Sequence, residues 1–569
     1  MNAMVLLAAA VLSLDGLWDF RLERNKTLED VALPAFTADA KMIVPGAWDA
    51  MTRWYNVRGT GCYRRTFILE RDVADAFLVV DGCCLRSKYW IDGREIGFSK
   101  LPWSKFEFRT GVLKAGEHEI VAAVDSVVDN TKVKLFWDFY DFYAFGGFHH
   151  GIRLEMVNAG SDIRKVVVRT RDYRKGLVEL EVIYATDGPD DFTADVSFDG
   201  AAAKAVEFRG RKATILVPNP TLWTPETPNL HTVSVATPTS KTSSRFGIRQ
   251  VGTANKRITL NGKPIYLKGV NRHESHYEFG VTTPKQLMME DILNLKSLGG
   301  NFIRGSHYAQ SDDFLTLCDE LGVLVWEESL GWGNGETQLT DPEFRALQLE
   351  ETVLMARNSI NHPSVIISAF LNEPHSYLDS CKTLVDELVL ALRAEDTGHL
   401  ITFACSRTDS DISHANTDII AYNTYPGWYS YASKTGSSEE MRQSIRTCHE
   451  EIVKYFRDLH KDERPIIVSE TGVKADYGVR DPRGKAQYTE DFQDEYERIM
   501  LEEIFANREL GGVAIWQFTD AKTYTRVTKG MIMRSYGVNT GGIYDLYRRP
   551  KLVVETIRKL FSAESPKAH

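Results

Sequence analysis

The sequence predicts a multidomain chain in three parts: an N-terminal β-sandwich of the jelly-roll type, an immunoglobulin-like β-sandwich and a C-terminal (β/α)8 TIM barrel. Three observations carry this. At 569 residues the chain is too long for one ordinary domain. Its first 250 or so residues are short strand-like runs broken by turns, with almost no helical periodicity. The remainder alternates short apolar runs with helix-period segments, the pattern of repeated βα units. The expected boundaries are 1–158, 159–252 and 253–569.

The first part rests on LWDFRLE, YRRTFIL, AFLVVDG, KYWIDG and HEIVAAV, with Asp-Gly turns at 81–82 and 92–93. The second rests on IRKVVVRTR, LVELEVIY, ADVSFDG, ATILVP and HTVSVAT, evenly spaced over a length that suits an immunoglobulin-like sandwich. The Pro-rich VPNPTLWTPETPN within it reads as an extended loop. The third rests on eight runs: IYLKGVN, NFIRGSH, VLVWEES, VIISAFLNEP, HLITFAC, IIAYNTY, PIIVSET and GVAIWQF. Helices are expected near 284–298, 311–321, 341–360, 378–395, 438–459 and 488–508. A doubly wound sheet is the alternative, but no glycine-rich phosphate loop follows the first run.

Composition narrows the class of function. Hydrophobic residues make up 43% and charged residues 26%, the balance of a globular protein in water. A net charge of −10 argues against a phosphate-backbone partner, so no nucleic acid is expected. No apolar run reaches membrane-spanning length, so no membrane partner is expected either. The start, MNAMVLLAAAVLSLDG, resembles a short signal-peptide core, yet it has no basic residue before the apolar run and leads straight into a strand-like segment. The expected location is cytoplasmic. Seven scattered cysteines, an odd number without a C-x-x-C spacing, point to reduced thiols. The 11 Trp, 23 Tyr and 27 Phe suit sugar stacking, and equally the aromatic cores of large β-rich proteins.

In a (β/α)8 barrel the functional side chains stand at the C-terminal ends of the strands. Here those ends are polar: Asn271-Arg272-His273-Glu274, Arg304-Gly305-Ser306-His307-Tyr308, Glu327-Glu328, Asn372-Glu373-Pro374, Asn423-Thr424-Tyr425 and Ser469-Glu470-Thr471, with Trp516 on the eighth run. Glu373 and Glu470 fall on opposite walls of one barrel mouth. Glycoside cleavage needs two such carboxylates, one to protonate the leaving oxygen and one to attack the sugar. A lone strand-end Glu is more often a salt-bridge partner; two in similarly polar settings favour catalysis. Asn372 is placed to hold a sugar 2-hydroxyl or to bond its own turn. His273, His307 and Tyr425 are candidates to line a sugar pocket, with a structural role the alternative for each histidine, and Trp516 is a candidate floor beneath the sugar or a cap on the core. Glu327 and Glu328 lie near histidines, but no H-E-x-x-H or comparable spacing occurs, so no metal and no cofactor is expected.

The stretches NRHESH, RGSHY, CDELGVLVWEE, NHPSVIISAFLNEP, NTYPGWY, VSETG and AIWQFTD together resemble glycoside hydrolase family 2. Upstream, LDGLWDF, VPGAWDA and DFYAFGGFHHGI resemble that family's sugar-binding sandwich, and RFGIRQV followed by LNGKPIYLKGVNRHE its junction with the barrel. The resemblance covers nearly the whole chain in one order. It implies retaining hydrolysis of a carbohydrate or glycoconjugate through a covalent glycosyl-enzyme, with Glu373 as acid/base and Glu470 as nucleophile. It gives Asn372 the 2-hydroxyl role, and it gives Asp141 a reach from the sandwich into the barrel mouth, onto the distal hydroxyls. Members of this layout are often dimers or tetramers, so a homo-oligomer is a state the resemblance allows. Glucuronidases of the family carry an Asn-x-Lys motif whose lysine pairs with the sugar carboxylate. Here the stretch reads Asn539-Thr540-Gly541, with the asparagine and without the lysine. A bound carboxylate would lose a partner worth about 1.5–3 kcal/mol. Arg534 or Arg526 is the available replacement. The expectation is therefore a neutral sugar, a β-D-galactoside ahead of glucoside or fucoside, with a β-glucuronide or other β-hexuronide second. From another class, a non-catalytic carbohydrate-binding protein on a hydrolase scaffold is the rival.

Overall fold

The computed structural model describes residues 10–137, 140–158, 161–428, 437–461, 463–484, 486–524 and 537–563. The first two antiparallel sheets face each other. One contains Ala10–Ser13, Asp75–Val80, Phe106–Arg109 and Ile152–Val157, the other Gly16–Arg24, Ala40–Val44, Gly59–Leu69, Arg86–Ile91, Arg94–Ser99 and Gly116–Asp125. Alternate residues point inward, so Trp18, Phe20, Tyr63, Tyr89 and Leu78 meet in one apolar core. The last residues of the signal-like start, Ala10–Ser13, form a strand paired with Arg153–Met156.

The next seven strands run from Ile163 to Phe246 in sheets of three and four. His231–Ala236 shows the half-buried alternation of such a sandwich, with His231, Val233 and Val235 inside. The Pro-rich stretch contains no strand, as its prolines require, but it is no free loop. Trp223 is fully buried against Leu267, Leu324 and Trp326 at the base of the barrel, and its indole N–H donates to the Asp319 carbonyl at 2.9 Å. A three-stranded unit, Val251–Ala254, Arg257–Leu260 and Lys263–Ile265, then leads into the barrel.

The barrel closes through eight parallel strands: β1 Leu267–Arg272, β2 Phe302–Gly305, β3 Leu324–Trp332, β4 Val365–Asn372, β5 Leu400–Cys405, β6 Ile420–Asn423, β7 Ile466–Thr471 and β8 Leu510–Ile515. Strands covered on both faces read as continuous apolar runs, and every residue of VIISAFLN in β4 is buried. The surrounding helices are α1 Lys285–Ser297, α2 Asp312–Leu321, α3 Glu336–Leu339, α4 Pro342–Ser359, α5 Asp379–Glu395, α6 Ser438–His460, α7 Glu490–Ala506 and α8 Val553–Ser562. Their starts are marked locally: Ser311, Asp341, Ser437 and Thr489 each accept a backbone N–H of the first turn. Gly322, at φ 71°, ends α2. Two helices go beyond the sequence reading. The one-turn α3 is too short to show a period, whereas α8 buries Val553, Val554, Ile557 and Phe561 at helical spacing. Strand β8 ends at Ile515, so Trp516 follows the strand.

Candidate active site

The register of the barrel brings the polar strand ends to one level. Asn271 pairs with Arg304 across β1 and β2, and Asn423 with Glu470 across β6 and β7. At the end of β4 the pairing slips between Ala369 and Asn372, and Leu371 and Glu373 take left-handed φ values of 56° and 51°. Non-glycine residues held there mark a backbone that its surroundings over-determine, which is common at functional sites.

Glu373 and Glu470 share a donor. The Asn423 amide nitrogen lies 2.9 Å from Glu373 Oε1 and 3.0 Å from Glu470 Oε2. Together these lengths hold the two oxygens within about 6 Å of each other, short of the roughly 6.5–9.5 Å that an intervening water requires. Glu470 also receives Arg304 Nη1 at 3.1 Å on Oε2 and the Tyr425 hydroxyl on Oε1. Burial, then the neighbouring Glu373 charge, raise the Glu470 carboxyl, against the pull of Arg304 and Tyr425. Burial likewise raises Glu373, opposed by the Asn423 amide and by the charges of Arg304 and Arg407.

Arg304 is fully buried and organises the floor. It donates to Glu328 through Nε and Nη2 at 3.0 and 3.1 Å, to Asn271 Oδ1 at 2.9 Å and to Asn372 Oδ1 at 2.8 Å. Asn372 therefore has its oxygen fixed, while its buried Nδ2 has no partner among the described residues. Tyr308 orients His273 in the same manner. Its hydroxyl accepts the Glu274 N–H at 2.9 Å and turns its own proton toward His273 Nδ1 at 3.3 Å. His273 then carries its proton on Nε2, a buried atom with no partner. Burial, with His307 and Arg304 adding to it, holds His273 well below the usual imidazole range, so the ring is neutral. His307 donates from Nδ1 to Glu328 at 2.7 Å and stacks on Trp516 with ring centroids 5.4 Å apart.

Asp141 reaches the mouth from the sandwich. Its Oδ2 accepts Asn539 Nδ2 at 3.1 Å and its Oδ1 accepts the Thr523 hydroxyl at 3.3 Å. The next residue, Phe142, stacks on His273. The structure thus gathers Glu373, Glu470, Asn372, Asp141, His273, His307, Tyr425, Trp516 and Asn539 around one mouth. Arg534 and Arg526 lie outside the described residues. At Gly541 an added Cβ would stand 3.3 Å from both Trp516 and the Asn539 side chain. Three members of the network had no assigned role in the sequence reading: Arg304, Asn423 and Glu328. Their signal was there, since charged or amide side chains at buried strand ends need partners, but the partners come from other strands.

Among the described residues, one group could hold a metal ion: Cys405, Asp411 and His414, all buried behind the site. Their polar atoms are already engaged, His414 Nδ1 with Asp411 at 3.0 Å and Cys405 with the Ser376 hydroxyl at 3.2 Å. A cavity of about 770 Å³ lies elsewhere, between the two sandwiches and the barrel helices. Its walls carry mutually paired charges such as Lys105 with Asp312 and Arg164 with Glu155, and it contains no counterpart of the Glu373–Glu470 pair.

Residues 251–563 match the sequence model described as glycosyl hydrolases family 2, TIM barrel domain, and residues 152–249 match that described as glycosyl hydrolases family 2. The β-glucuronidase of Mus musculus is 27% identical over 441 residues, covering 74% of this chain and 64% of that protein. The match thus spans less than two thirds of that relative's length. The β-glucuronidase of Streptococcus agalactiae serotype V is 24% identical over 96% of this chain and 95% of its own. Among solved structures, a β-galacturonidase from Eisenbergiella tayi bound to galacturonate superimposes with a TM-score of 0.86 at 25% identity, covering 99% of both chains. A β-glucuronidase from Faecalibacterium prausnitzii, at 23% identity and the same TM-score, shows the same fold over 99% of this chain and 100% of its own.

Proposed function

The chain belongs to glycoside hydrolase family 2, and we propose that it is a retaining exo-β-glycosidase acting on a terminal β-linked hexuronide, a glucuronide or galacturonide. The observation that carries the hydrolase reading is the single amide of Asn423 spanning Glu373 and Glu470. Two carboxyls this close, buried together, hold one proton between them near neutral pH. That proton belongs on Glu373. Among the described residues the Glu470 anion has Arg304, Tyr425 and Asn423 as donors, whereas Glu373 has Asn423.

In the first step the Glu470 carboxylate attacks the anomeric carbon. The glycosidic C–O bond breaks and the Glu373 proton passes to the leaving oxygen. In the second, water gives a proton to Glu373 and its oxygen to the anomeric carbon, freeing Glu470. The unpartnered N–H of Asn372 is a ready donor for the 2-hydroxyl, and that of His273 for a ring hydroxyl. Asp141 and Asn539 stand for the distal end of the sugar.

For the glycone the relatives reverse the order expected from the missing lysine. Those cited act, by name, on glucuronides or galacturonides, and nothing among them supports the galactoside reading. Arg534 and Arg526 are among the cations that the sequence offers near Asn539 for a sugar carboxylate, with Lys529 between them. A panel of nitrophenyl β-glucuronide, β-galacturonide, β-galactoside and β-glucoside tests this. One uronide should be turned over far faster than either neutral sugar, and a galactoside preference would overturn the glycone assignment. Glu470→Ala and Glu373→Ala should each lower kcat by about 10³-fold or more. Azide should displace the leaving group directly in the Glu470 variant, giving the inverted glycosyl azide, and should capture the glycosyl-enzyme of the Glu373 variant, giving the retained one. Wild-type rates in both variants would refute the pair.

A further inference from the structure

Glu373 meets Asn423 through Oε1, on the side of Glu470. That leaves Oε2 to meet the oxygen that it protonates, and three side chains stand near Glu373 along the chain or by their charge. Two come directly after it in the chain. The rings of His375 and Tyr377 stack with centroids 5.6 Å apart and planes 20° apart, and Tyr377 is 43% exposed. The third is Arg407, on the loop after β5. Its guanidinium carbon lies 5.9 Å from the Tyr377 ring centroid, and its charge acts on both Glu373 and His375. Arg407 has no acidic partner among the described residues.

The placement of these groups is built in. Ser376, buried between the two rings in sequence, ties their loop to that of Arg407. Its hydroxyl lies 3.2 Å from Cys405 Sγ, and its carbonyl accepts Ile412 N–H at 3.0 Å and the Ser413 hydroxyl at 2.7 Å. Arg407 N–H donates to the same Cys405 sulfur at 3.2 Å. The backbone N–H of His375 donates to the Asn334 carbonyl at 2.9 Å. An acid/base is thus bordered by two stacked rings and a cation on anchored backbone, an arrangement that selects rather than merely tolerates its ligand.

We propose that His375, Tyr377 and Arg407 form the leaving-group subsite and select an anionic ring there: a sugar or aromatic group carrying a carboxylate. Ring faces stack on planar aglycones and on the C–H faces of sugars. A guanidinium pairs with a carboxylate through two parallel N–H bonds. The proposal rests on the hydrolase reading above, and its test separates the two.

The full chain is assayed on two substrate pairs that share the preferred glycone. In one the leaving group is a carboxyphenol or its methyl ester; in the other it is a uronic acid or its methyl ester. We expect kcat/KM for the acid to exceed that for the ester by roughly fivefold to tenfold in at least one pair at low ionic strength, and which pair shows it identifies the source of the carboxylate. The acid-to-ester ratio should fall toward one in Arg407→Gln and at high salt, and Arg407→Lys should restore part of it. Equal rates for acid and ester in both pairs, or an acid preference that survives Arg407→Gln, would overturn the subsite alone. No turnover of any of the four would overturn the hydrolase reading and the subsite with it.

Discussion

Tyr425 and Arg304 favour the anion on Glu470. Each donates to Glu470, whereas Asn423 donates to both glutamates, and every donor to a carboxylate lowers its affinity for a proton. The active form carries one proton on the pair, so kcat/KM falls when Glu470 gains a proton on the acid side and when Glu373 loses its own on the basic side. Tyr425→Phe removes one donor from Glu470 and should move the acid limb of the kcat/KM profile upward, with a loss of about tenfold or more at the optimum. An unmoved acid limb would show that the hydroxyl does not stabilise the anion. Arg304 acts on the same anion and also fixes Asn372 and Glu328, so its replacement would disturb several groups and isolate none.

Two helices carry acids whose burial makes stability depend on pH. Glu351 of α4 is fully buried, accepting the Leu330 N–H at 3.1 Å and the hydroxyl of Ser104, from the first sandwich, at 3.1 Å. Glu497 of α7 is fully buried behind the loop that follows Glu470, accepting Val473 N–H at 3.2 Å. Burial pushes each carboxyl up to about 8. An acid whose folded value lies above its ordinary 4.5 binds its proton more tightly when folded. Its contribution to stability is fully present below about 4.5 and is lost as pH rises through about 8. The apparent Tm at a fixed heating rate should therefore drop between pH 6 and pH 9. Glu351→Gln, the shape of the protonated acid, should retain both hydrogen bonds and flatten part of that drop. A variant whose Tm falls as steeply as the wild type's would place the titration elsewhere.

The site belongs to the molecule rather than to the barrel. Asp141 comes from a sandwich loop and meets Asn539 and Thr523 beyond β8. The same loop stacks Phe142 on His273, and Trp103 of the sandwich stacks on Tyr308 with centroids 4.8 Å apart. His150 and Glu274 add a buried ion pair across the junction at 3.1 Å. Asp141→Ala should lower kcat/KM by about 10–100-fold, the worth of a hydrogen bond to a charged group, whether that bond goes to the sugar or positions Asn539. Wild-type kcat/KM in that variant would remove the sandwich from the site. The change should lower kcat far less than Glu470→Ala does, because both carboxyls of the pair remain in place.

Much of this was legible along the chain. Periodicity 2 against periodicity 3.6 separated sandwiches from barrel and located six of the barrel's helices, because each period is a local steric requirement. Strand-end position put Glu373 and Glu470 among the acids of the mouth, beside Glu274, Glu327 and Glu328, and the family resemblance singled them out. The partners were not legible: that Asn423 spans both glutamates, that Arg304 fixes Asn372, and that Tyr308 sets the proton on His273. Nor was the anchoring of Trp223 under the barrel, which a Pro-rich segment hides. These are pairings between residues tens to hundreds of positions apart, and only barrel closure and the docking of the sandwich bring their atoms to bonding distance. Sequence determined which chemistry-bearing groups stand at the barrel mouth, because strand ends are set locally; tertiary structure decided what each of them bonds to, because those partners are contributed by other strands.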